Sequence, residues 1–390
     1  MSRLQQISYA WKDEETAESY ITGVSLHSHT NQSRETLDFL AELGKRIGWV
    51  QALVDKVESR ARTNHSFYVD YAQAYWTPPL TPKLAFDLES SQIEKLGLHA
   101  LVSLSDHDNI NAPMLLRTVA SARHIPVSVE WSVPYGGDQS FHLGIHNLPS
   151  DAGQSWMQTF AEFTASPVSN ARLTELLAAL HALPNVLIVF NHPMWDLYLV
   201  GAARHAELLQ QFMVENGAYI HALELNGLRS WKENQATGAL ARRCSKLLIS
   251  GGDRHGMEPN ANINLTNATS FTQFVHEIRN EDRSHVLFMP QYAEPMKHRV
   301  LRSTIDVIRD YPEFPLGSRR WDERVFHPDT HGIPQPIAQL WPAGAAPGYI
   351  QALLGCVRLL GARPVSHGLR RAWSQGGRTE HSALQLAAGE

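Results

Sequence analysis

The chain has 390 residues, 43% hydrophobic and 19% charged, and its 34 basic against 39 acidic side chains leave a net charge of −5. That composition excludes a disordered chain and supplies a large core, and the lack of a basic run before the last 30 residues argues against nucleic acid as a main partner. With only two cysteines, Cys244 and Cys356, a disulfide framework is excluded and a reducing, cytoplasmic setting is expected; no signal peptide and no membrane span of roughly 18 apolar residues can be read.

The first apolar run starts at Ile21 and ends in Ser25-Leu26-His27-Ser28-His29-Thr30. On a strand, side chains alternate faces, so His27 and His29 would point the same way with Cα atoms about 6.5–7 Å apart, close enough for two imidazoles to meet one metal ion. Apolar spacing then predicts one or two helices over 35–60, interrupted at Gly44 and Gly48. Periodicity is lost over 62–80, which holds Phe67, Tyr68, Tyr71, Tyr75 and Trp76 and reads as an ordered aromatic loop. Thr81-Pro82 starts a helix that stops at Gly97.

Strands follow at 100–105, ending in Asp106-His107-Asp108, and at 125–129, delivering Glu130. Beyond the turn signal Tyr135-Gly136-Gly137-Asp138, a strand at 141–146 carries His142 near its start. Others at 186–190, 219–226 and 246–252 lead to Asn191-His192-Pro193, Glu224-Leu225-Asn226 and Asp253-Arg254-His255, with one more candidate at 286–289. Helices are predicted at 112–123, twice within 151–183, at 202–215 and at 231–244. Strands alternating with helices read as parallel βα units, seven from Ser25 onward, in an α/β fold whose chemistry sits at the strand C-termini. The expected organisation is a barrel over 20–290, a helical extension over 291–360 with helices near 294–310 and 349–360, and a frayed basic tail over 361–390.

Taken in order, His27-Ser28-His29-Thr30, Ser105-Asp106-His107-Asp108, Glu130, the His142 strand, Asn191-His192-Pro193 and Gly251-Gly252-Asp253-Arg254-His255 resemble the polymerase and histidinol phosphatase (PHP) family of metal-dependent phosphoesterases. The resemblance spans residues 24–255 and implies a distorted (β/α)7 TIM-like barrel with two or three divalent ions, Zn, Mn or Fe. It implies that His27, His29, Glu130 and Asp253 hold one ion, that Glu130 bridges to a second held with His142 and His192, and that His107 and His255 belong to a further site. Imidazole and carboxylate suit such metals, and ions sharing a carboxylate can trap a hydroxide that attacks phosphorus.

Many relatives carry a metal-binding Asp or His shortly after the first motif, where this chain reads Asn31-Gln32-Ser33-Arg34-Glu35. Arginine cannot ligate a cation, so that site is either weakened or rebuilt with Glu35. Arg34 is then expected to approach a substrate phosphate as a bidentate donor. Asp106 is expected to orient His107, and Asp108 reads either as a helix cap or as a site residue.

His146 shares a face with His142 but lies roughly 13 Å along the strand, too far to share an ion. Glu224 and Asn226 read as structural beside an Asn-Gly turn, and His65, His99, His124, His181, His205 and His221 as surface or core residues; Cys244 reads as a small buried apolar residue. Trp131, Tyr135 and Trp195 are either packing beneath the rim or a stacking wall for a ring-bearing substrate. The leading expectation is a hydrolase of small-molecule phosphomonoesters or phosphodiesters acting through metal-bound hydroxide. The alternatives are an ester or amide hydrolase of amidohydrolase type and a catalytically silent metal-binding scaffold. Neither a nucleotide fingerprint nor a Gly-x-Ser-x-Gly elbow is present.

Overall fold

Every run predicted as a strand from Ile21 onward does pair, but not all in one direction. The computed structural model describes residues 4–37, 70, 72–341 and 344–376. In chain order its strands are β1 (Leu4–Tyr9), β2 (Thr22–Ser25), β3 (Glu35–Thr36), β4 (Tyr75–Trp76), β5 (His99–Val102), β6 (Val127–Tyr135) and β7 (Gln139–Leu148), then β8 (Leu187–Phe190), β9 (Ala222–Asn226), β10 (Leu247–Gly251), β11 (Asn262–Thr266), β12 (Arg283–Phe288), β13 (Val325–Pro328) and β14 (Pro334–Pro336). They form two five-stranded sheets, ordered β1-β12-β11-β2-β5 and β10-β9-β8-β7-β6, and a small sheet ordered β14-β13-β4-β3.

The pairs β2–β5, β8–β9 and β9–β10 are parallel, as βα units require. In contrast, β7 runs antiparallel to both β6 and β8. The reason lies in the three residues joining β6 to β7: a parallel crossover needs a dozen or more, and Gly136 and Gly137, at φ +66 and +84, supply a tight reversal. β11 is also antiparallel to both its neighbours. β1 lies ahead of the expected boundary at residue 20, yet it pairs with β12 over its whole length.

Among the described residues the two large sheets do not close into one cylinder, so the result is a mixed α/β fold. They are stitched together at one end by main-chain hydrogen bonds. Glu130 N donates to Asp106 O and Asp108 N to Glu130 O along one seam, and Gly252 N to Leu26 O and Asp253 N to His27 O along the other.

The core lies between the second sheet and the helices Gly153–Ala165, Asn170–His181 and Ala202–Asn216. Strand alternation places Glu130 inward and turns Trp131 out onto Phe160, with ring centroids 4.3 Å apart. Tyr135 meets Phe212 edge-on at 5.2 Å. Both rings are fully buried packing residues, so neither forms the stacking wall that their positions beside Glu130 allowed. Thr81 caps the helix Pro82–Glu94, its Oγ1 accepting from Leu84 N. The predicted helix over 112–123 is shorter, Asn111–Leu116 followed by a 3-10 turn.

Beyond β12, helices Met296–Ile308 and Gly348–Leu360 appear where expected. Arg363–Gly376 is also helical, where a frayed tail was predicted. Val365, Leu369 and Trp373 recur every fourth residue, and the helix docks on Met296–Ile308, with Ser366 Oγ 2.9 Å from His298 Nε2. The start of the helix predicted over 35–60 is strand β3; its remainder, with Phe67, Tyr68, Tyr71 and the end of the tail, lies outside the described residues. No described helix is long and apolar enough to cross a membrane.

Candidate metal centre

β2 stops at Ser25, so His27 and His29 lie beyond the strand whose pleat was expected to align them. His27 adopts φ +60, and backbone bonds from Asp253 N to His27 O and from His29 N to Arg254 O hold the segment. The two rings still converge, with centroids 5.0 Å apart. His192 and Asp253 are left-handed as well, at φ +27 and +53. Non-glycine residues there cost about 1–2 kcal/mol each, and such backbone gathers at functional sites. His142, at the start of its strand, joins the cluster because β7 is reversed and brings that start to the rim where the parallel strands end.

Glu130 sits at the centre, completely buried. Its Oε2 lies 3.0 Å from His27 Nε2, 3.3 Å from His29 Nε2 and 3.3 Å from His107 Nε2. Its Oε1 faces the other way, 3.3 Å from His142 Nδ1 and 3.1 Å from His192 Nε2. Asp253 Oδ1 stands 3.6–3.8 Å from His29 and His27. Of the two outcomes expected beside Arg34, the geometry matches a site rebuilt with Glu35: its Oε2 is 3.3 Å from His107 Nε2 and 3.2 Å from His255 Nε2. All eight histidine and carboxylate positions singled out as ligands therefore meet in one cluster, with Glu35 added. His107 and His255, 13% and 15% exposed, mark its open side.

Spacing and unsatisfied atoms both fit divalent cations. With ligand bonds of about 2.0–2.1 Å, the edge of a coordination tetrahedron is roughly 3.3 Å, the separation seen between these nitrogens and oxygens. His27 Nε2, His29 Nε2, His142 Nδ1 and Glu130 Oε2 are buried with no hydrogen-bond partner among the described residues, and orphaned polar atoms of this kind are costly unless something binds them. Charge points the same way. Burial pushes the Glu130 carboxyl up, but His27, His107 and His142 outweigh it and hold the group well below the usual carboxylate range. Burial likewise disfavours imidazolium at His107, yet Glu35 and Glu130 bring it up to about 10. His142, where burial prevails, drops to about 4. The carboxylates thus demand positive charge at the centre of the cluster, which a divalent ion supplies.

Around this set, other residues fix orientation. Glu224 Oε1 lies 2.5 Å from His27 Nδ1, leaving Nε2 to face the centre, and its Oε2 accepts from His192 N at 2.7 Å. Asn191 Nδ2 donates to Glu130 Oε1. Arg254 bonds Glu89 at 2.9 Å and His29 O at 2.9 Å, tying the Asp253 loop to the first motif. Asp106 does not orient His107; it accepts from Thr30 N and Oγ1, pinning the turn after His29. Asp108 accepts from Ser132 N and acts as a backbone tie. His146 is a core residue, its Nδ1 2.8 Å from Ser103 Oγ.

Arg34 is exposed, with its guanidinium 5.3 Å over the Tyr75 ring. The guanidinium that meets the cluster is Arg229, 3.7 Å over Trp195 and 3.5 Å from Asp253 Oδ2. Its Nε is buried without a hydrogen-bond partner. Trp195 in turn lies 5.0 Å from the His192 ring. Sequence reasoning passed over Arg229 and read Glu224 as structural. The available signal for Glu224 was that, like Glu130, it is a carboxylate set within a buried apolar strand.

No family profile and no curated protein matches the chain. Solved structures that overlay on it include an amidohydrolase from Chromobacterium violaceum with bound sulfate and no metal, at 15% identity over 72% of this chain and 96% of that one, TM-score 0.34. A candidate metal-dependent phosphoesterase from Bifidobacterium adolescentis overlays at 16% identity over 52% and 91%, TM-score 0.32. PsfC from Pseudomonas syringae does so at 14% identity over 57% and 87%, TM-score 0.36. Likeness of this degree establishes neither a shared fold nor a shared activity. What the chain itself presents is a buried set of imidazoles and carboxylates whose geometry is compatible with divalent-cation binding.

Proposed function

We propose that this protein is a metal-dependent phosphoesterase of the PHP type, acting on a small-molecule phosphomonoester or phosphodiester, with its two large sheets standing as the open halves of a distorted barrel-like arrangement around the cluster. His27, His29, Glu130 and Asp253 would hold one ion, Glu130 with His142 and His192 a second, and Glu35, His107 and His255 a third. When bound, ions of this kind acidify water and draw charge from phosphoryl oxygens.

The chain's own groups do the rest. Glu130, with one oxygen toward each side, couples two halves of the cluster, while Glu224 fixes the His27 ring so that its Nε2 faces inward. Burial of Glu130 and His29 keeps bulk water from the inner side, while His107 and His255 are the more exposed ligand-type residues, where the cluster can be approached.

The observation that carries the choice of bond is Arg229. A partly buried guanidinium with an unpaired Nε beside the cluster is matched by a phosphoryl oxygen, which brings negative charge and two acceptor atoms. A neutral ester or amide offers it acceptor oxygens but no negative charge. The test is elemental analysis of the purified chain followed by phosphomonoester and phosphodiester panels run beside carboxylic ester and amide panels. Turnover confined to esters or amides would overturn the reading.

A further inference from the structure

The carboxylate that meets His107 and His255 is carried by neither large sheet. Glu35 lies on β3, two residues long, and among the described residues β3 pairs only with β4, Glu35 opposite Trp76 and Thr36 opposite Tyr75. On its other edge β4 pairs with β13, Val325 opposite Trp76 and Phe326 opposite Tyr75. Ser33 Oγ donates to Glu35 Oε1 at 2.6 Å, but the strand that backs β3 through β4 comes from nearly three hundred residues further on.

Two-residue strands have no stability of their own, and a lone hairpin is marginal in water. Here the added third and fourth strands are themselves well anchored. The Tyr75 and Phe326 rings stack at 5.0 Å with 9° between planes. Thr77 N donates to Arg324 O at 2.8 Å, and Asp70 N meets His327 Nε2 at 3.1 Å. Arg324 is buried and donates to the carbonyls of Ser318 and Val307. Buried Asp322 accepts from Trp341 Nε1, closing the segment on itself. Trp76, held between β3 and β13, reaches the cluster directly, its ring 5.7 Å from His255.

We infer that the 321–341 segment is a positioning element of the cation cluster: through β4 it holds Glu35 against His107 and His255, and the outermost ion is retained only while that segment is docked. The inference rests on the proposed metal reading. It makes the occupancy of one ion, rather than of the whole cluster, conditional on a distant stretch of chain, so that cutting or lifting this segment lowers the ion count by one.

The experiment uses the full-length chain loaded with Mn, dialysed and counted for ions, with circular dichroism to verify folding. Glu35→Gln, Phe326→Gly and Tyr75→Ala, the last removing the same stack from the other strand, are each expected to lose one ion per chain, with its dissociation constant raised at least about tenfold. Phe326→Tyr keeps the ring and is expected to restore the full count. If Glu35→Gln keeps every ion, the third-site reading falls and the inference with it. If Glu35→Gln loses one ion but the folded Phe326→Gly and Tyr75→Ala chains keep all, the positioning role alone is overturned. Loss of the whole cluster from either folded variant also overturns it, because the effect would then not be specific to Glu35.

Discussion

Glu224 offers the sharpest test of how the cluster is held. One of its oxygens faces His27 Nδ1 at 2.5 Å, and the other accepts from His192 N at 2.7 Å and from Asn226 Nδ2 at 3.0 Å. In Glu224→Gln the side-chain carbonyl must take the position facing two donors, which turns the amide NH2 toward His27. The imidazole then accepts at Nδ1, carries its hydrogen on Nε2, and loses the lone pair aimed at the cluster. Removing a carboxylate behind a ligating histidine lowers metal affinity about 10–100-fold, or about 1.4–2.7 kcal/mol. Chelator competition should show that loss at the ion bound by His27, and activity should return when free metal is raised by the same factor. The thermal midpoint of the metal-free chain separates this from a folding defect. An affinity within about twofold of the parent would refute the orienting role.

Gly251→Ala should reproduce the same loss by another route, because a Cβ there meets the Glu224 carboxylate, and the same chelator assay reads it. Arg229→Ala should raise KM for the preferred phosphoester at least about tenfold with ion content unchanged; metal loss instead would reject phosphoryl recognition. Glu89→Gln breaks a buried pair with Arg254 and should lower the unfolding free energy by about 3–5 kcal/mol in urea titrations. Burial holds His146 down to about 3, against about 6.5 when unfolded. The unfolded chain therefore takes up the extra proton between those values, and stability from this residue is full above pH 6.5 and falls by about 1.4 kcal/mol per unit below it. His146→Gln should flatten the pH 5–6.5 dependence of the unfolding free energy by that amount; an unchanged slope would count against a neutral core histidine.

The ligand-type residues other than His142 were readable because they follow apolar runs, and such runs end on one rim in folds built from βα units. Their direction was less readable. The short Gly-Gly connection before Gln139 already required a hairpin, and giving it full weight would have placed His142 without an exception. β11 was invisible because Asn262 and Asn264 look like loop residues; inside the fold their side chains bond Leu225 O and Ser250 Oγ. β1 carries two glutamines in six residues and gains its order from β12, some 280 positions away. Arg229 had no local signature, and Glu224 only that of a carboxylate in an apolar run, since their partners His27 and Asp253 lie elsewhere in the sequence and only folding brings them together. Asp106 was misread for the same reason: its neighbour in sequence is His107, but its partner in space is Thr30.

Three of the cluster residues, His27, His192 and Asp253, occupy backbone that glycine would adopt without penalty. Glycine would relieve about 1–2 kcal/mol of backbone strain at each place, and only a chain that had also lost the buried carboxylates facing these side chains would gain stability from the exchange. Homologues that have dropped the chemistry and those carboxylates should show glycine at these places, and a survey of such degenerate copies would date the loss of activity by the order in which the three were released.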